Sequence, residues 1–473
     1  MMVSQYGLVI LGQGSAAFAA AIKAEELGIK TVLVGRNRTK GALLGGTCVN
    51  VGCVPSKNLL TVGMSYYASS SEPFGAIRYG RTKLDFEKAI AEKDVLVRRF
   101  RKQKYSEVLE NLRNVDYVSG EGRFISKDEV KVGQRTIKGK AFLIATGARA
   151  SIPGIKGIEK IDYLTNEEAL SIRRLPGSMI VVGGRALGLE FAQMYAHFGT
   201  KVTLLQRSDR ILPDHEPEIS TGLRGYLEDE GIRVHTGVQL KNVSQRGKMK
   251  IIKAVVGGVT KSFAAEQLLF ATGRTPNSDR LGAERAGVNL DDGGFVKVND
   301  EMQTSAARVW AAGDVVGEPM LETIAAKEGS VAVNNAFSET KKHIDFDEVP
   351  SAVFTYPEVA SVGLTEAQAE GKGIECACSV LPLDLVPKAH VVGDTRGLVK
   401  MVINNKTKQI IGLHVLAPHG ADLIHEGVLA VKNRLTIDDI IDTVHVFPTL
   451  SESVKLAAQS FYMDVGKMSC CVA

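Results

Sequence analysis

The 473-residue chain contains no uninterrupted apolar run of membrane-spanning length, which excludes membrane insertion through a helix. It also lacks any dense run of Lys or Arg. Its 58 basic and 53 acidic side chains leave a formal charge of only +5, so neither nucleic-acid binding nor attachment to an anionic surface gains support. Cysteine is scarce, and six in so long a chain do not make a secreted disulfide framework. They fall in three pairs, Cys48/Cys53, Cys376/Cys378 and Cys470/Cys471, which points to thiol chemistry in a reducing cytoplasm. The apolar stretch Met1 to Ala21 has no basic flank and does not read as a signal peptide. There is no low-complexity tract and no repeat beyond two βαβ patterns. What is present is an ordinary soluble composition, 44% hydrophobic and 23% charged, long enough for about three domains.

The stretch from Gly45 to Lys57, GGTCVNVGCVPSK, organises the rest. Pro55 suits a first helical turn, where its missing N–H is no loss. Cys53 then lies beside a helix N-terminus, whose partial positive charge favours a thiolate, and Lys57 adds a full charge one turn on. Positions five apart diverge on a regular helix, so the sulfurs of Cys48 and Cys53 meet only across a bend, which Gly52 permits. The pair is either a redox-active dithiol that opens and closes or two buried cysteines near a helix start. Its flanking residues favour the dithiol.

Two nucleotide-binding patterns flank it. Tyr6 to Gly12 reads as a buried strand, followed by Gly12-x-Gly14-x-x-Ala17, an Ala-rich helix to about Leu27, and a strand from Lys30 to Val34. This is the dinucleotide fingerprint: glycines admit a pyrophosphate to the backbone and the helix N-terminus binds its charge. The acidic residue that usually ends the second strand and holds the ribose is missing, because the chain reads Val34-Gly35-Arg36 there. The second pattern runs from a strand at Ser178 to Gly183, through Gly183-Gly184-Arg185-Ala186-Leu187-Gly188, to a helix ending near Phe198 and a strand from Lys201 to Leu205. Arg185 replaces its middle glycine. The closing strand ends in Gln206-Arg207-Ser208 with Arg210 nearby, which suits a 2′-phosphate and hence NADPH; the alternative is that Arg207 and Arg210 are ordinary surface charges.

Leu84 to Leu112 reads as polar helical segments with a solvated face and no assigned chemistry. Lys140 to Gly147 and Val309 to Val315 read as strands. The second ends in Gly313-Asp314, where Asp314 either hydrogen-bonds a polyol or caps a helix from about Leu321 to Phe337. From about Glu348 the character changes to an α+β module with a broad face to bury, and so a dimerisation surface. Cys376-Ala377-Cys378 alternates as on a strand, with both sulfurs on one face, and reads as buried structural cysteines rather than a metal site.

Taken in this order, two βαβ units, the C-x-x-x-x-C motif, the paired Ala145-Thr146-Gly147 and Ala271-Thr272-Gly273 segments and the Gly313-Asp314 strand end resemble the FAD-dependent pyridine-nucleotide disulfide oxidoreductases. The resemblance covers essentially the whole chain. It implies FAD held by Gly12, Gly14, Ala17, Gly46, Thr47, Lys57, Thr146, Gly147 and Asp314, and NADPH held by Gly183, Gly188, Glu190, Arg207 and Gly273. It further implies that electrons pass from nicotinamide through flavin to Cys48/Cys53. Cys53 would be nearer the flavin, Cys48 the exchanging sulfur, and Lys57 paired with Glu190 beside the flavin's reactive nitrogen. The fold expected is α/β, with two Rossmann-like dinucleotide-binding domains. Residues 1–152 and 276–347 would bind FAD, 153–275 NADPH, and 348–473 would form an α+β dimerisation domain of a homodimer.

The far end separates branches of that family. Dithiol-handling members carry a histidine base before Pro-Thr, whereas this chain reads Phe447-Pro448-Thr449, with His445 two residues earlier. The tail Cys470-Cys471 resembles that of the mercuric reductase branch, as does the run Leu381 to Asp384 through Asp394 to Gly397. That implies mercuric ion as substrate, bound by Cys48, Cys53, Cys470 and Cys471, with the tail serving the partner subunit's inner pair. Soft thiolates suit such a cation. The resemblance is to the catalytic core of that branch, and the expectation is a chain without the N-terminal metal-trafficking domain that the branch often carries. The competing expectations are a dihydrolipoamide dehydrogenase-like enzyme with His445 as a relocated base, and a flavoprotein that sequesters soft metals without reducing them.

Overall fold

The computed structural model describes residues 4–36, 44–69, 74, 76, 80 and 82–469. Cys470 and Cys471, and with them the tail reading, lie outside the described residues. The chain forms two compact units: Met1–Ser56, Ile90–Ile152 and Gly273–Ile344 make one, and Lys57–Ala89, Pro153–Thr272 and Asp345–Ala473 the other.

In the first unit, β-branched runs bounded by glycine turns become buried strands. Thr31–Gly35, Ser4–Leu11, Arg135–Ile144 and Val309–Ala311 pair in parallel, Val115–Ser119 extends one edge, and Glu129–Val132 and Gly122–Phe124 add an antiparallel ribbon. Leu8 pairs with both Thr31 and Ala141, so Ser4–Leu11 runs centrally. Val9, Leu11, Val32, Phe124, Phe142 and Ile144 form its core. The Ala-rich helix Ser15–Glu26 packs on the helix Glu322–Phe337 so closely that a Cβ at Gly329 would lie 2.1 Å from the Ala16 carbonyl oxygen. Alanine on one side and glycine on the other make that approach possible.

The second unit holds a four-stranded parallel sheet in the order Arg233–His235, Lys201–Leu205, Ser178–Val182, Gln267–Phe270. A three-stranded antiparallel meander, Gln239–Arg246, Met249–Val256 and Val259–Ala265, adjoins it in sequence. Its C-terminal part is a five-stranded antiparallel sheet, Ser351–Val353, Glu358–Gly363, Ile410–Ala417, Leu398–Asn404 and Cys376–Pro382, with Cys376–Pro382 on the edge. One face of that sheet carries Leu381, Val399, Met401, Leu413 and Val415 into a core closed by the helices Gly420–Asn433 and Glu452–Gln459. This is the expected α/β architecture with an α+β module at its end. Among the described residues no helix is long and apolar enough to cross a membrane.

Candidate functional site

In the first unit the chain turns through Gly45 and Gly46, makes the short helix Thr47–Val51, breaks at Gly52 and restarts at Cys53 as the helix Cys53–Ala68, whose residues from Lys57 belong to the second unit. A Cβ at Gly52 would lie 2.9 Å from the Thr47 carbonyl oxygen and 3.0 Å from Cys48 Cα, so the bend that brings the two sulfurs together needs glycine. Neither cysteine is in a disulfide, and with Cys48 half-buried and Cys53 exposed the pair is not a buried one. They share a hydrogen bond. That contact, then burial and the neighbouring Glu322 carboxylate, hold the Cys48 thiol far above its ordinary range. Cys53 stands at the helix start.

Asn50 braces this turn. Its Nδ2 donates to the carbonyls of Leu44 (3.1 Å), Gly45 (2.8 Å) and Gly46 (3.0 Å), and its Oδ1 accepts from Arg101 Nε at 2.8 Å. Arg101 ends the helix Phe86–Arg101, and buried Tyr105 follows it in a single π turn, Lys102–Ser106. A Cβ on Gly45 would lie 3.0 Å from the Tyr105 ring. The polar segment expected to be a plain solvated face therefore supports the dithiol turn. Sequence reasoning missed Asn50 although it sits between the cysteines; Arg101, Tyr105 and Glu322 carried no local signal.

The first glycine turn has a different rationale from the one expected. A Cβ at Gly12 would lie 2.0 Å from the Ala145 carbonyl oxygen, and one at Gly14 would lie 3.2 Å from Gly46 Cα, so the chain's own packing already demands both glycines. Ala17 is fully buried on the following helix. Gly14 caps that helix without a side-chain acceptor, leaving its first-turn N–H groups for an anion. Thr146 Oγ1 is buried with no hydrogen-bond partner, beside Gly147 at φ +67°. Asp314 pairs with Arg274 Nε at 3.2 Å, and Arg274 also reaches Thr47 Oγ1 at 3.3 Å. The helix cap after Asp314 is Leu321, so Asp314 is not a cap. Gly35 replaces the usual acid because Gln13 fills the space: a Cβ there would lie 2.2 Å from Gln13 Oε1. An uncapped helix end, an orphaned buried hydroxyl and a carboxylate at a strand end fit a dinucleotide with a polyol linker.

In the second unit Lys57 Nζ lies 2.6 Å from Glu190 Oε2, over the Phe354 ring at 4.6 Å, and Glu190 Oε1 accepts the Phe354 N–H at 2.9 Å. The other glycine turn is held as tightly as the first. A Cβ at Gly183 would lie 2.1 Å from the Ala271 carbonyl oxygen, and one at Gly188 would lie 1.9 Å from that of Gly183. Arg185 is the N-cap of the helix Ala186–His197, with no side-chain cap, and its guanidinium turns out to pair with Asp214. An arginine is tolerated at the middle position because its side chain leaves the turn. Gln206 is buried and accepts the Gly184 N–H at 2.8 Å, Arg210 donates to the carbonyls of Pro213 and His215, and Arg207 is exposed.

His445 Nδ1 faces the Thr443 carbonyl at 3.0 Å and Nε2 faces Glu426 Oε1 at 2.8 Å. Both ring nitrogens are thus within hydrogen-bond distance of oxygen atoms of the chain itself. Phe447 is half exposed.

The model of the pyridine nucleotide-disulphide oxidoreductases matches residues 6–329, and that of their dimerisation domain matches residues 349–458. The chain belongs to this family. Membership implies FAD and a pyridine nucleotide, and a dimerisation domain at the C-terminal end. Over 466 residues the chain is 40% identical to a mercuric reductase of Lysinibacillus sphaericus, covering 98% of this chain and 84% of that one. It is 35% identical to a mitochondrial dihydrolipoyl dehydrogenase of Arabidopsis thaliana, covering 96% and 90%. Among solved structures, the Cu(II) complex of the HOCl-induced flavoprotein disulfide reductase RclA from Escherichia coli matches with TM-score 0.86 and 28% identity, covering 98% of this chain and all of that one.

Proposed function

We propose that the chain reduces Hg(II) to Hg(0) with two electrons from NADPH, releasing NADP⁺ and a proton, through FAD and the Cys48/Cys53 dithiol. FAD supplies the two-electron step between nicotinamide and sulfur. Residues 1–152 and 276–347 would bind it, with Gly14, Thr146 and Asp314 as main contacts. Residues 153–275 would bind NADPH through Gly183, Gly188, Gly273 and Arg207. Lys57, fixed by Glu190, holds a positive charge for the reduced flavin. Cys48 and Cys53 take the metal, and each transfer exchanges one sulfur–mercury bond for another while the leaving thiolate regains a proton. In a dimer built on residues 348–473, Cys470 and Cys471 of the partner subunit would deliver the ion.

The observation that carries this reading is the absence of a histidine base where dithiol-handling relatives need one. Phe447 occupies the position, and His445 lies against the Thr443 carbonyl and the Glu426 carboxylate. A thiophilic cation exchanges between thiolates without such a base. The extended similarity to mercuric reductases supports the same reading.

The test is mercuric-ion-dependent NADPH oxidation in excess small thiol. Turnover is expected in the wild type. It should vanish in Cys48→Ala and Cys53→Ala with flavin still bound, and fall sharply in Cys470→Ala/Cys471→Ala. Brisk NADH-driven lipoamide turnover that ignores the tail substitutions would favour the dithiol alternative.

A further inference from the structure

Cys376 and Cys378 take no part in the relay described above. They stand on the edge strand Cys376–Pro382, paired to Leu398–Asn404 in the register Cys376↔Asn404, Cys378↔Val402 and Val380↔Lys400. Alternate residues of that strand, Ala377, Ser379 and Leu381, turn to the main core: Leu381 is fully buried there and Ser379 Oγ donates to the Ala457 carbonyl. The two cysteines face the opposite side. They are half-buried under the short helix Glu366–Gly371, against Leu364, Ala369 and Val402. This packing agrees with the structural role expected of them, except that neither is fully buried, and neither is in a disulfide.

The surroundings are fixed. The two thiols share a hydrogen bond, and the Cys378 thiol also meets the Glu366 carboxylate. That carboxylate is anchored by Lys400 Nζ at 2.8 Å, which is itself buried and pairs with Glu216 at 2.9 Å and Glu218 at 3.0 Å. The Glu366 N–H donates to Glu216 at 2.7 Å. Burial, more than the carboxylates, keeps both thiols protonated at neutral pH, with Cys378 pushed up to about 12.

Strand geometry decides what such a pair can do. Two residues along an extended strand set their Cα atoms about 6.6 Å apart, at the outer limit for a disulfide, whose sulfurs must close to about 2.05 Å. Two metal–sulfur bonds in line span about 4.6 Å if they match zinc–thiolate lengths, which same-face neighbours reach without buckling the strand. Among the described residues no group of three or more His, Cys, Asp or Glu could cage a metal. That leaves hard and borderline ions without a coordination shell but satisfies a soft ion content with two sulfurs.

We propose that Cys376 and Cys378 form a second binding site for a thiophilic two-coordinate cation, one ion bridging both sulfurs, separate from Cys48/Cys53. Binding one Hg(II) forms two sulfur–mercury bonds and releases two thiol protons to solvent. No electrons move. The site needs no flavin or nicotinamide, so it stands or falls independently of the turnover proposed above.

The test uses the full-length holoprotein carrying Cys48→Ala, Cys53→Ala, Cys470→Ala and Cys471→Ala, titrated with mercuric chloride in a competing monothiol and dialysed. One ion retained per chain is expected, with both remaining thiols lost together to a thiol reagent. Adding Cys376→Ser or Cys378→Ser should release the ion at roughly hundredfold lower competitor, the loss of a chelate. No retained ion, two ions per chain, or loss of both thiols without metal, which marks a disulfide, each overturns the proposal. Should that variant fail to fold, Cys376→Ser/Cys378→Ser in the otherwise natural chain should hold one ion fewer with mercury-dependent NADPH oxidation unchanged. An undiminished ion count there overturns it equally.

Discussion

Glu190 and Lys57 form an ion pair at 2.6 Å in which only the anion is deeply buried: 5% of the Glu190 side chain is exposed against 30% of Lys57. Removing one partner is therefore not equivalent to removing the other. Lys57→Met leaves a carboxylate in a low-dielectric site with the Phe354 N–H as its remaining donor. Glu190→Gln leaves a cation that can turn to water. Lys57→Met should cost about 3 kcal/mol, at the low end for a broken buried pair because Lys57 is partly solvated, and Glu190→Gln about 1 kcal/mol. The double variant should lose less than the two together. Denaturant unfolding of the flavin-free protein checks this, and equal single losses would contradict it.

Asn50 ties three carbonyls of the glycine turn to Arg101. Asn50→Ala frees the turn that sets the sulfur-to-sulfur approach and strands the guanidinium. We expect a stability loss of about 2 kcal/mol. Turnover should fall between roughly ten- and a hundredfold through misplacement of Cys48. Flavin content should fall less than turnover, because Thr146 and Asp314 are untouched although the loosened turn includes Gly46. Unfolding curves, flavin absorbance and the mercuric-ion assay separate these effects. Full activity in the variant would show that Gly52 alone sets the bend.

The sequence made much of this legible because the signals were local. A β-branched run, a glycine turn and a helix follow one another at each nucleotide unit, where the limits seen differ from those expected by a residue or two, while the strand expected from Lys140 to Gly147 runs from Arg135 to Ile144. The strand at Val309–Ala311 is shorter, stopping before Gly313 turns at φ +79°. What escaped was reciprocal fit. Gly12 reads as a pyrophosphate residue, yet its constraint is the Ala145 carbonyl far along the chain. Gly35 reads as a missing acid, yet it makes room for Gln13. The opposite-face placement of Cys376 and Cys378 followed from alternation, but their partial exposure depended on which side of the sheet the main core took.

Glu328 lies beneath the Gly313-Asp314 turn, 2% exposed, and accepts the Gly313 N–H at 2.6 Å. Burial, with the Asp314 carboxylate adding to it, pushes its carboxyl up from 4.5 to about 7. The folded state therefore holds a proton that the unfolded state has released between those values. Its contribution is fully present below pH 4.5 and is lost as pH rises through about 7. The shift corresponds to on the order of 3 kcal/mol. Glu328→Gln keeps an acceptor for Gly313 without the charge. It should flatten the stability profile between pH 4.5 and 8 and raise the melting temperature at the alkaline end. A variant profile parallel to the wild type would show that Glu328 titrates alike in both states.

Nicotinamide choice should depend on Arg207 rather than on its neighbours. Gln206 is 6% exposed and its Oε1 accepts the Gly184 N–H, so it shapes the turn. Arg210 donates to the Pro213 and His215 carbonyls and serves its own loop. Arg207 is exposed at the end of the strand Lys201–Leu205, the place from which a 2′-phosphate is reached in such units. A hydrogen bond to a charged group is worth roughly 1.5–3 kcal/mol, and replacing the arginine by a like charge adds repulsion. Arg207→Glu should therefore raise KM for NADPH at least about tenfold, leave kcat nearly unchanged and favour NADH. Gln206→Glu should weaken the turn for both nucleotides without reversing the preference. Steady-state kinetics with each nucleotide distinguish the two positions. An unaltered NADPH preference in Arg207→Glu would move the phosphate contact elsewhere in the unit.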